Sequence, residues 1–166
     1  MPHIEVPEGR ADPEVRVWAL RPEMGIGAAA LSHAIYEQSI VPVRERELAR
    51  MRIAQINGCV ICQQWRSTRG AEGAVTEDDY AHVANFATHP GYRERERLAV
   101  EYAERFALEH HTLDDAFFAR LRTAGFTDAE ILDLTVCIGG WLALGRTLHV
   151  LGLDDSCALA PRPLDG

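Results

Sequence analysis

Apolar residues recur at the three- and four-residue spacing of an α-helix almost without interruption from residue 25 to residue 153. No segment shows the two-residue alternation of a half-buried strand. This pattern predicts an all-α fold, a bundle of six to seven helices in a single domain. The length of 166 residues is enough to bury a core without disulfide bonds. We expect an irregular N-terminal arm (residues 1–24), a helical domain (25–153) and a C-terminal tail (154–166).

Capping residues set the expected helix boundaries. Thr127 and Glu130 form a capping-box pattern before the longest predicted helix. Asn57 and Gly58 tolerate left-handed backbone and predict a helix end. The charged runs 44–47 and 93–97 are expected to be solvated helix faces. The predicted helices cover residues 26–40, 42–56, 59–70, 77–87, 92–108, 114–123 and 128–152.

The charge composition narrows the classes of partner. The net charge is −8, which disfavours nucleic acid and anionic membranes, because both attract basic proteins. Every basic residue other than histidine is Arg, which excludes Schiff-base chemistry through a lysine. The most apolar run, residues 131–153, is interrupted by Asp133, Arg146 and His149, so no membrane span is predicted, and no signal peptide is visible. We therefore expect a cytoplasmic protein with no nucleic-acid or membrane partner.

The Cys59-Val60-Ile61-Cys62 motif is the strongest functional signal in the sequence. Two cysteines three residues apart on a helix share a face, so a disulfide can form with little backbone movement. A helix N-terminus also stabilises the reactive thiolate, an argument that by itself favours Cys59. Arg66, four residues after Cys62, would lie on the same helical face and lower a thiol pKa.

The motif alone leaves other interpretations open. The cysteines can be an inert buried pair, or half of a zinc site, although Cys137 and Cys157 are too isolated in sequence to supply an obvious second half. Gln63 follows the motif where covalent haem attachment needs a histidine. A thioredoxin-like site would need a preceding strand, which the pattern does not predict.

The segment ERELARMRIAQINGCVIC resembles the carboxymuconolactone decarboxylase/AhpD-like family, whose pattern is Glu, eleven residues, CxxC, three residues and His. ERERLAVEYAERFA and LRTAGFTDAEILDLTVCIGGWLALGRTLHVLGL are similar to its later helices, so the resemblance covers about residues 25–153. The resemblance implies an all-helical AhpD-like fold and assembly as a homotrimer or homohexamer. It also implies an oxidoreductase that reduces a small hydroperoxide or a protein disulfide. A dithiol or lipoyl-type protein would re-reduce the cysteines, with no metal or organic cofactor.

The same resemblance assigns roles to individual residues. Glu47 would be the carboxylate of a proton relay, Cys62 the attacking thiol and Cys59 the resolving thiol. The family's histidine is replaced by Arg66, which cannot transfer protons but can stabilise a thiolate. His149 on the last helix is the best candidate for a replacement base, because that helix lies near the site in related folds; otherwise it is an ordinary, partly buried histidine.

Two other functions stay open. In a decarboxylase or lyase acting on a small carboxylated lactone, Arg66 would bind the substrate carboxylate. The chain can also be a non-enzymatic assembly or redox-sensing module. Of the remaining features, Cys137 is expected to be an inert core residue, and Gly139-Gly140 to permit close helix packing.

Overall fold

The computed structural model describes residues 1–67 and 73–153, and these form α-helices, short 3-10 helices and loops without any strand. The all-α prediction is therefore confirmed. These described residues contain eight α-helices: α1 (Pro13–Arg16), α2 (Pro22–Glu37), α3 (Val43–Ile56), α4 (Val60–Gln64), α5 (Glu77–His82), α6 (Glu94–Glu109), α7 (Asp115–Thr123) and α8 (Asp128–Val150). Short 3-10 helices cover Val17–Leu20, Val83–Asn85 and His110–Thr112.

Helix α3 lies at the centre of the fold and contacts α4, α5, α6 and α8. One side of α3, with Ala49 and Ile53, packs into the larger apolar cluster, which α2, α6, α7 and α8 complete. Another side, with Leu48 and Met51, packs into a second cluster that includes residues of α5 and α6. A helix enclosed on several sides must bury its polar residues as well, and α3 does so.

The charged run 44–47 is not a solvated face, and that prediction is wrong; in the run 93–97, Arg93 and Glu94 are exposed as predicted, but Glu96 is not. Glu45, Glu47 and Glu96 are all buried. The guanidinium of Arg44 bridges Glu96 and Asp79, with N–O distances of 2.8 and 3.0 Å. These carboxylates avoid the cost of burial because each meets a guanidinium within hydrogen-bonding distance.

Side-chain caps are present at the starts of α5 and α8. Thr127 and Glu130 form the predicted capping box at the start of α8. Thr76 and Asp79 form a second box at the start of α5. The predicted close helix packing is also present, because a Cβ added at Gly140 would lie 2.9 Å from Ile35 Cδ1 on α2.

Two predicted segments differ from the structure. The N-terminal arm is not wholly irregular: α1 and a 3-10 helix occupy residues 13–20, and α2 begins at Pro22. Prolines in the first turns of α1 and α2 lose no helical hydrogen bond, so they start helices here instead of preventing them. Helix α4 ends at Gln64, short of the predicted end at Gly70, which lies outside the described residues, as does the tail 154–166.

Helix α8 is long and apolar enough to cross a membrane by length and composition. It packs in the bundle against α2, α3 and α6, and Leu134, Ile138 and Trp141 lie in the larger core cluster. Core packing therefore accounts for much of its apolar sequence. Three large apolar side chains of this helix, Leu132, Val136 and Val150, stay exposed.

Candidate active site

The turn between α3 and α4 places the CxxC motif. Gly58 takes a φ of +69°, a left-handed conformation that favours glycine, so the predicted chain reversal occurs here. The Asn57 side-chain amide donates to the carbonyls of Trp141 and Leu142 on α8, each at 3.3 Å. The side-chain oxygen of Asn57 accepts a hydrogen bond from Arg146. These bonds fix the start of the cysteine segment against the C-terminal half of α8.

Cys59 and Cys62 lie side by side at the start of α4. Their sulfur atoms are 2.6 Å apart, and no disulfide bond joins them. Cys59 is the N-cap residue, and its Sγ accepts a hydrogen bond from the Cys62 backbone N–H at 3.3 Å. Cys59 is only 1% exposed, whereas Cys62 is half-buried. The CxxC spacing therefore brings the two sulfur atoms together, as predicted. Cys62 is the more solvent-accessible of the two thiols.

A buried ion pair lies next to the motif. Glu47 and Arg50 are 1% and 2% exposed, and the guanidinium donates two hydrogen bonds of 2.7 Å to the two carboxylate oxygens. Tyr80 donates to one Glu47 oxygen at 2.7 Å, and Ser67 donates to the other. Four donors therefore surround the carboxylate, which fills the acceptor sites that a carboxylate offers.

Glu47 is held as an anion by this arrangement. Burial alone would raise its pKa, and this is the largest single influence. The hydrogen bonds and charge of Arg50, with the hydroxyls of Ser67 and Tyr80, outweigh it and hold the pKa below its usual range. Glu47 is therefore an ionised acceptor at neutral pH.

Arg50 joins this carboxylate to the cysteine helix. Its Nη1 donates to the carbonyl oxygen of Cys62 at 2.7 Å, and its Nη2 donates to that of Trp65 at 2.9 Å. The guanidinium also lies over the Trp65 ring, 5.3 Å from the centroid. One side chain of α3 thus holds the C-terminal end of α4, which is too short to be stable alone.

A tyrosine of α2 completes the surroundings of the thiols. Tyr36 packs edge-on against Trp65, with centroids 4.9 Å apart. Burial raises the pKa of Tyr36 well above its usual value; the charge of Arg50 opposes the rise, and Cys62 and Glu47 add to it. The Tyr36 hydroxyl is therefore neutral at physiological pH and lies within electrostatic range of both Cys62 and Glu47.

Arg66 does not share a helical face with Cys62, and that prediction is wrong. Because α4 ends at Gln64, Arg66 lies in the segment that follows. Its Nε and Nη2 donate to the two carboxylate oxygens of Glu77, each at 2.9 Å. The guanidinium also stacks 4.1 Å from the centroid of the Tyr80 ring.

His149 lies where the last helix meets the cysteine turn. A Cβ added at Gly58 would be 3.9 Å from His149 Cε1, so the imidazole lies beside the residue that precedes Cys59. The side chain is exposed rather than partly buried. Cys137, by contrast, is buried as predicted, and burial raises the pKa of its thiol to about 12.

Four residues around the motif were not predicted from the sequence: Arg50, Tyr80, Ser67 and Tyr36. For Arg50 a signal was available, because it follows Glu47 by three residues and an i,i+3 pair shares a helix face. Tyr80 and Tyr36 come from α5 and α2, and Ser67 from the segment after α4. Only the packing of these elements brings them together.

Comparisons with known proteins agree with this fold. An uncharacterised protein, YnjA, of Escherichia coli K12 is 39% identical over 95 residues, which is 57% of this chain. The matched region spans 51% of that relative.

Solved structures share the fold over most of this chain. A peroxidase-related protein from Silicibacter sp. TM1040 superposes with a TM-score of 0.70 at 19% identity, over 84% of this chain and 73% of that one. A Ralstonia eutropha JMP134 protein, described as an alkylhydroperoxidase AhpD core, gives 0.69 at 19% identity, over 89% and 80%. A protein of unknown function from Agrobacterium tumefaciens, named for its relation to the antioxidant defence protein AhpD, gives 0.67 at 24% identity, over 89% and 96%. At these identities the likeness establishes the AhpD-like fold.

The sequence profile of one family matches residues 22–105, about half of the chain. The matched region contains Glu47, Arg50 and both cysteines of the motif. The chain belongs to the carboxymuconolactone decarboxylase family.

Proposed function

We propose that this protein is a thiol-dependent oxidoreductase that reduces a small hydroperoxide or a protein disulfide through Cys59 and Cys62. The observation that carries the proposal is the 2.6 Å separation of the two sulfur atoms at the start of α4. A covalent disulfide needs about 2.05 Å, so only a small side-chain movement closes the pair. The peroxidase-related names of proteins that share the fold are consistent with this chemistry.

Cys62 is the attacking thiol in this proposal, because it is the more accessible of the two. Its thiolate attacks the terminal peroxide oxygen, the O–O bond breaks, and the leaving alkoxide takes a proton to become an alcohol. The sulfenic acid on Cys62 is then attacked by the Cys59 thiolate, and hydroxide leaves as water. A dithiol, such as a lipoyl-type protein, reduces the resulting disulfide by two thiol–disulfide exchanges. No metal or organic cofactor takes part.

Glu47 supports this chemistry as a fixed anion rather than as a simple proton carrier. Its oxygens already accept hydrogen bonds from Arg50, Tyr80 and Ser67, so a proton can reach Glu47 only through those hydroxyls or by displacing a donor. Its main contribution is to hold Arg50, which in turn holds the Cys62 carbonyl.

His149 is the proposed proton donor to the leaving alkoxide. It lies beside Gly58, and an imidazole can give up and take back a proton, which the guanidinium of Arg66 cannot do. Replacing His149 with Gln should lower peroxide turnover and remove the limb of its pH profile that reports protonation of the imidazole. An unchanged pH profile would exclude this role.

We also propose a cellular location and an oligomeric state. A thiol pair that must be reduced again after each turnover suits a reducing compartment, so we propose a cytoplasmic location. The exposed apolar side chains of α8, Leu132, Val136 and Val150, are consistent with assembly as a homotrimer or homohexamer.

The lyase alternative is less well supported. It requires Arg66 to bind a substrate carboxylate, but in the structure Nε and Nη2 of Arg66 both donate hydrogen bonds to Glu77. A non-enzymatic redox-sensing module would share the cysteine geometry but would not turn over.

Turnover is tested with tert-butyl hydroperoxide as oxidant and dihydrolipoamide as reductant. The proposal predicts catalytic consumption of both by the full chain and loss of turnover in Cys59→Ser and Cys62→Ser. Cys137→Ser is the matched control, because this buried thiol has a raised pKa and should not react. Single-turnover oxidation without catalysis would favour the sensing module. Activity on a lactone that survives both serine substitutions would favour the lyase.

A further inference from the structure

A cluster of two imidazoles and one carboxylate lies on α5 and the turn after it, separate from the Cys59–Cys62 motif. We propose that Asp78, His82 and His89 form a binding site for a divalent transition-metal cation of the zinc type. One potential ligand atom from each residue lies within 4.8 Å of the other two. The proposal does not depend on the thiol chemistry.

The backbone brings these three side chains together. Asp78 and His82 are four residues apart on α5, so they share a helix face. His89 reaches the same point from the turn that follows the 3-10 helix at Val83–Asn85. Nδ1 of His82 lies 3.5 Å from one Asp78 carboxylate oxygen, and Nε2 of His89 lies 3.8 Å from the other.

Neighbouring contacts orient both imidazole rings. The rings of His82 and His89 stack with centroids 4.3 Å apart and an interplanar angle of 22°, and the His89 ring also contacts Tyr92. Nδ1 of His82 is 2.8 Å from the backbone carbonyl of Asp78. A proton on that nitrogen leaves the lone pair of Nε2 available for a metal. Histidine ligands in metal sites are commonly oriented through the other ring nitrogen in this way.

Binding requires both rings to turn, because the nearly parallel, stacked imidazoles direct their in-plane lone pairs side by side. Zinc bonds of about 2.0–2.1 Å place tetrahedral ligand atoms about 3.4 Å apart, and the candidate ligand atoms here lie within 4.8 Å of one another. The Asp78 side chain is 73% exposed and free to rotate toward the rings. Ligation through Nε2 of His89 moves its proton to Nδ1 and replaces the long, 3.3 Å hydrogen bond from Gly91 N–H.

The donor set defines the class of ion. Two imidazoles and one carboxylate suit zinc and neighbouring first-row divalent ions better than calcium or magnesium, which prefer oxygen ligands. Three protein ligands leave a coordination position for water, since the cluster faces solvent. Because the ion would connect α5 with the turn at His89, binding should also stabilise the segment that carries Tyr80.

The test is zinc binding to the full-length chain, measured by competition with a chromophoric chelator. It uses the Cys59→Ser/Cys62→Ser variant as the parent, since a thiol pair would itself bind zinc. The proposal predicts one equivalent of zinc per chain and a rise in the thermal unfolding midpoint on saturation. His82→Ala and His89→Ala should each weaken binding at least about tenfold, and Asp78→Asn should weaken it as well.

The matched control is His110→Ala/His111→Ala, which removes two exposed histidines on a different element. This variant should bind zinc like the parent. Circular dichroism establishes that every variant remains helical. Binding that survives in His82→Ala/His89→Ala, or that is lost in the control pair, would overturn the proposal, as would absence of binding by the parent.

Discussion

Replacing Arg50 with Met tests the contact that connects α3 to the cysteine helix. The substitution keeps an unbranched side chain but removes two hydrogen bonds to Glu47 and those to the Cys62 and Trp65 carbonyls. Glu47 remains buried with only the Ser67 and Tyr80 hydroxyls as donors. Removing one partner of a buried ion pair costs about 3–5 kcal/mol, because the other charge stays desolvated.

Urea unfolding at pH 7 measures this cost. With a slope of about 2 kcal/mol per molar urea, the midpoint should fall by about 1.5–2.5 M. Arg52→Met is the matched control on the same helix, because Arg52 pairs with Glu104 nearer the surface and its loss should cost about 0–1 kcal/mol.

The pH dependence gives a second readout. Without Arg50, burial should raise the folded-state pKa of Glu47 above its unfolded value, so the folded state binds the proton more tightly. The penalty of Arg50→Met should then be largest at neutral pH and shrink as the solution is acidified. A loss no greater than that of Arg52→Met, at every pH, would refute the view that this ion pair holds the site together.

Three further predictions concern the hydrogen bonds of Glu47 and the packing of α2 against α8. Tyr80→Phe removes one hydrogen-bond donor to the Glu47 carboxylate. It should lower the free energy of unfolding in urea by about 1.5–3 kcal/mol, the range for hydrogen bonds to charged groups. A loss below about 0.5 kcal/mol, the size of a neutral surface change, would contradict the contact. Because the pKa of Glu47 is lowered in the folded state, its ionised carboxylate stabilises the fold fully above the unfolded pKa of about 4.3, and this stabilisation is lost as the pH falls below it. The wild type should therefore lose more stability between pH 6 and 3 than Glu47→Gln does. Gly140→Ala places a Cβ 2.9 Å from Ile35 and should be at least about 1 kcal/mol less stable than Gly139→Ala, whose Cβ meets nothing closer than 3.8 Å; equal thermal midpoints would argue against close packing of α2 and α8.

Local patterns predicted the fold class well. The helical spacing, the Thr127 cap and the Asn57-Gly58 stop depend on neighbouring residues, and the structure contains each of them. The spacing of Cys59 and Cys62 likewise determined that the two thiols meet.

Predictions that depended on burial were less successful. The run 44–47 has the composition of a surface helix, yet α3 lies inside the bundle and its charges pair with residues distant in sequence. Arg66 was expected to continue the helix of Cys62, but α4 is only five residues long and the guanidinium turns to Glu77. Arg50, whose guanidinium contacts the Cys62 carbonyl, was not singled out from the sequence, because its i,i+3 pairing with Glu47 was not considered.

The central claim is that Cys59 and Cys62 are a redox pair, and it is tested most directly by intact mass spectrometry with peptide mapping. Fully reduced protein is treated briefly with one equivalent of hydroperoxide, and the remaining free thiols are alkylated. The account predicts a loss of two hydrogens located in a Cys59–Cys62 disulfide, with Cys137 still alkylated after unfolding. Unchanged mass on a timescale at which a free small-molecule thiol is oxidised, or oxidation of Cys62 that never proceeds to the disulfide, would contradict it.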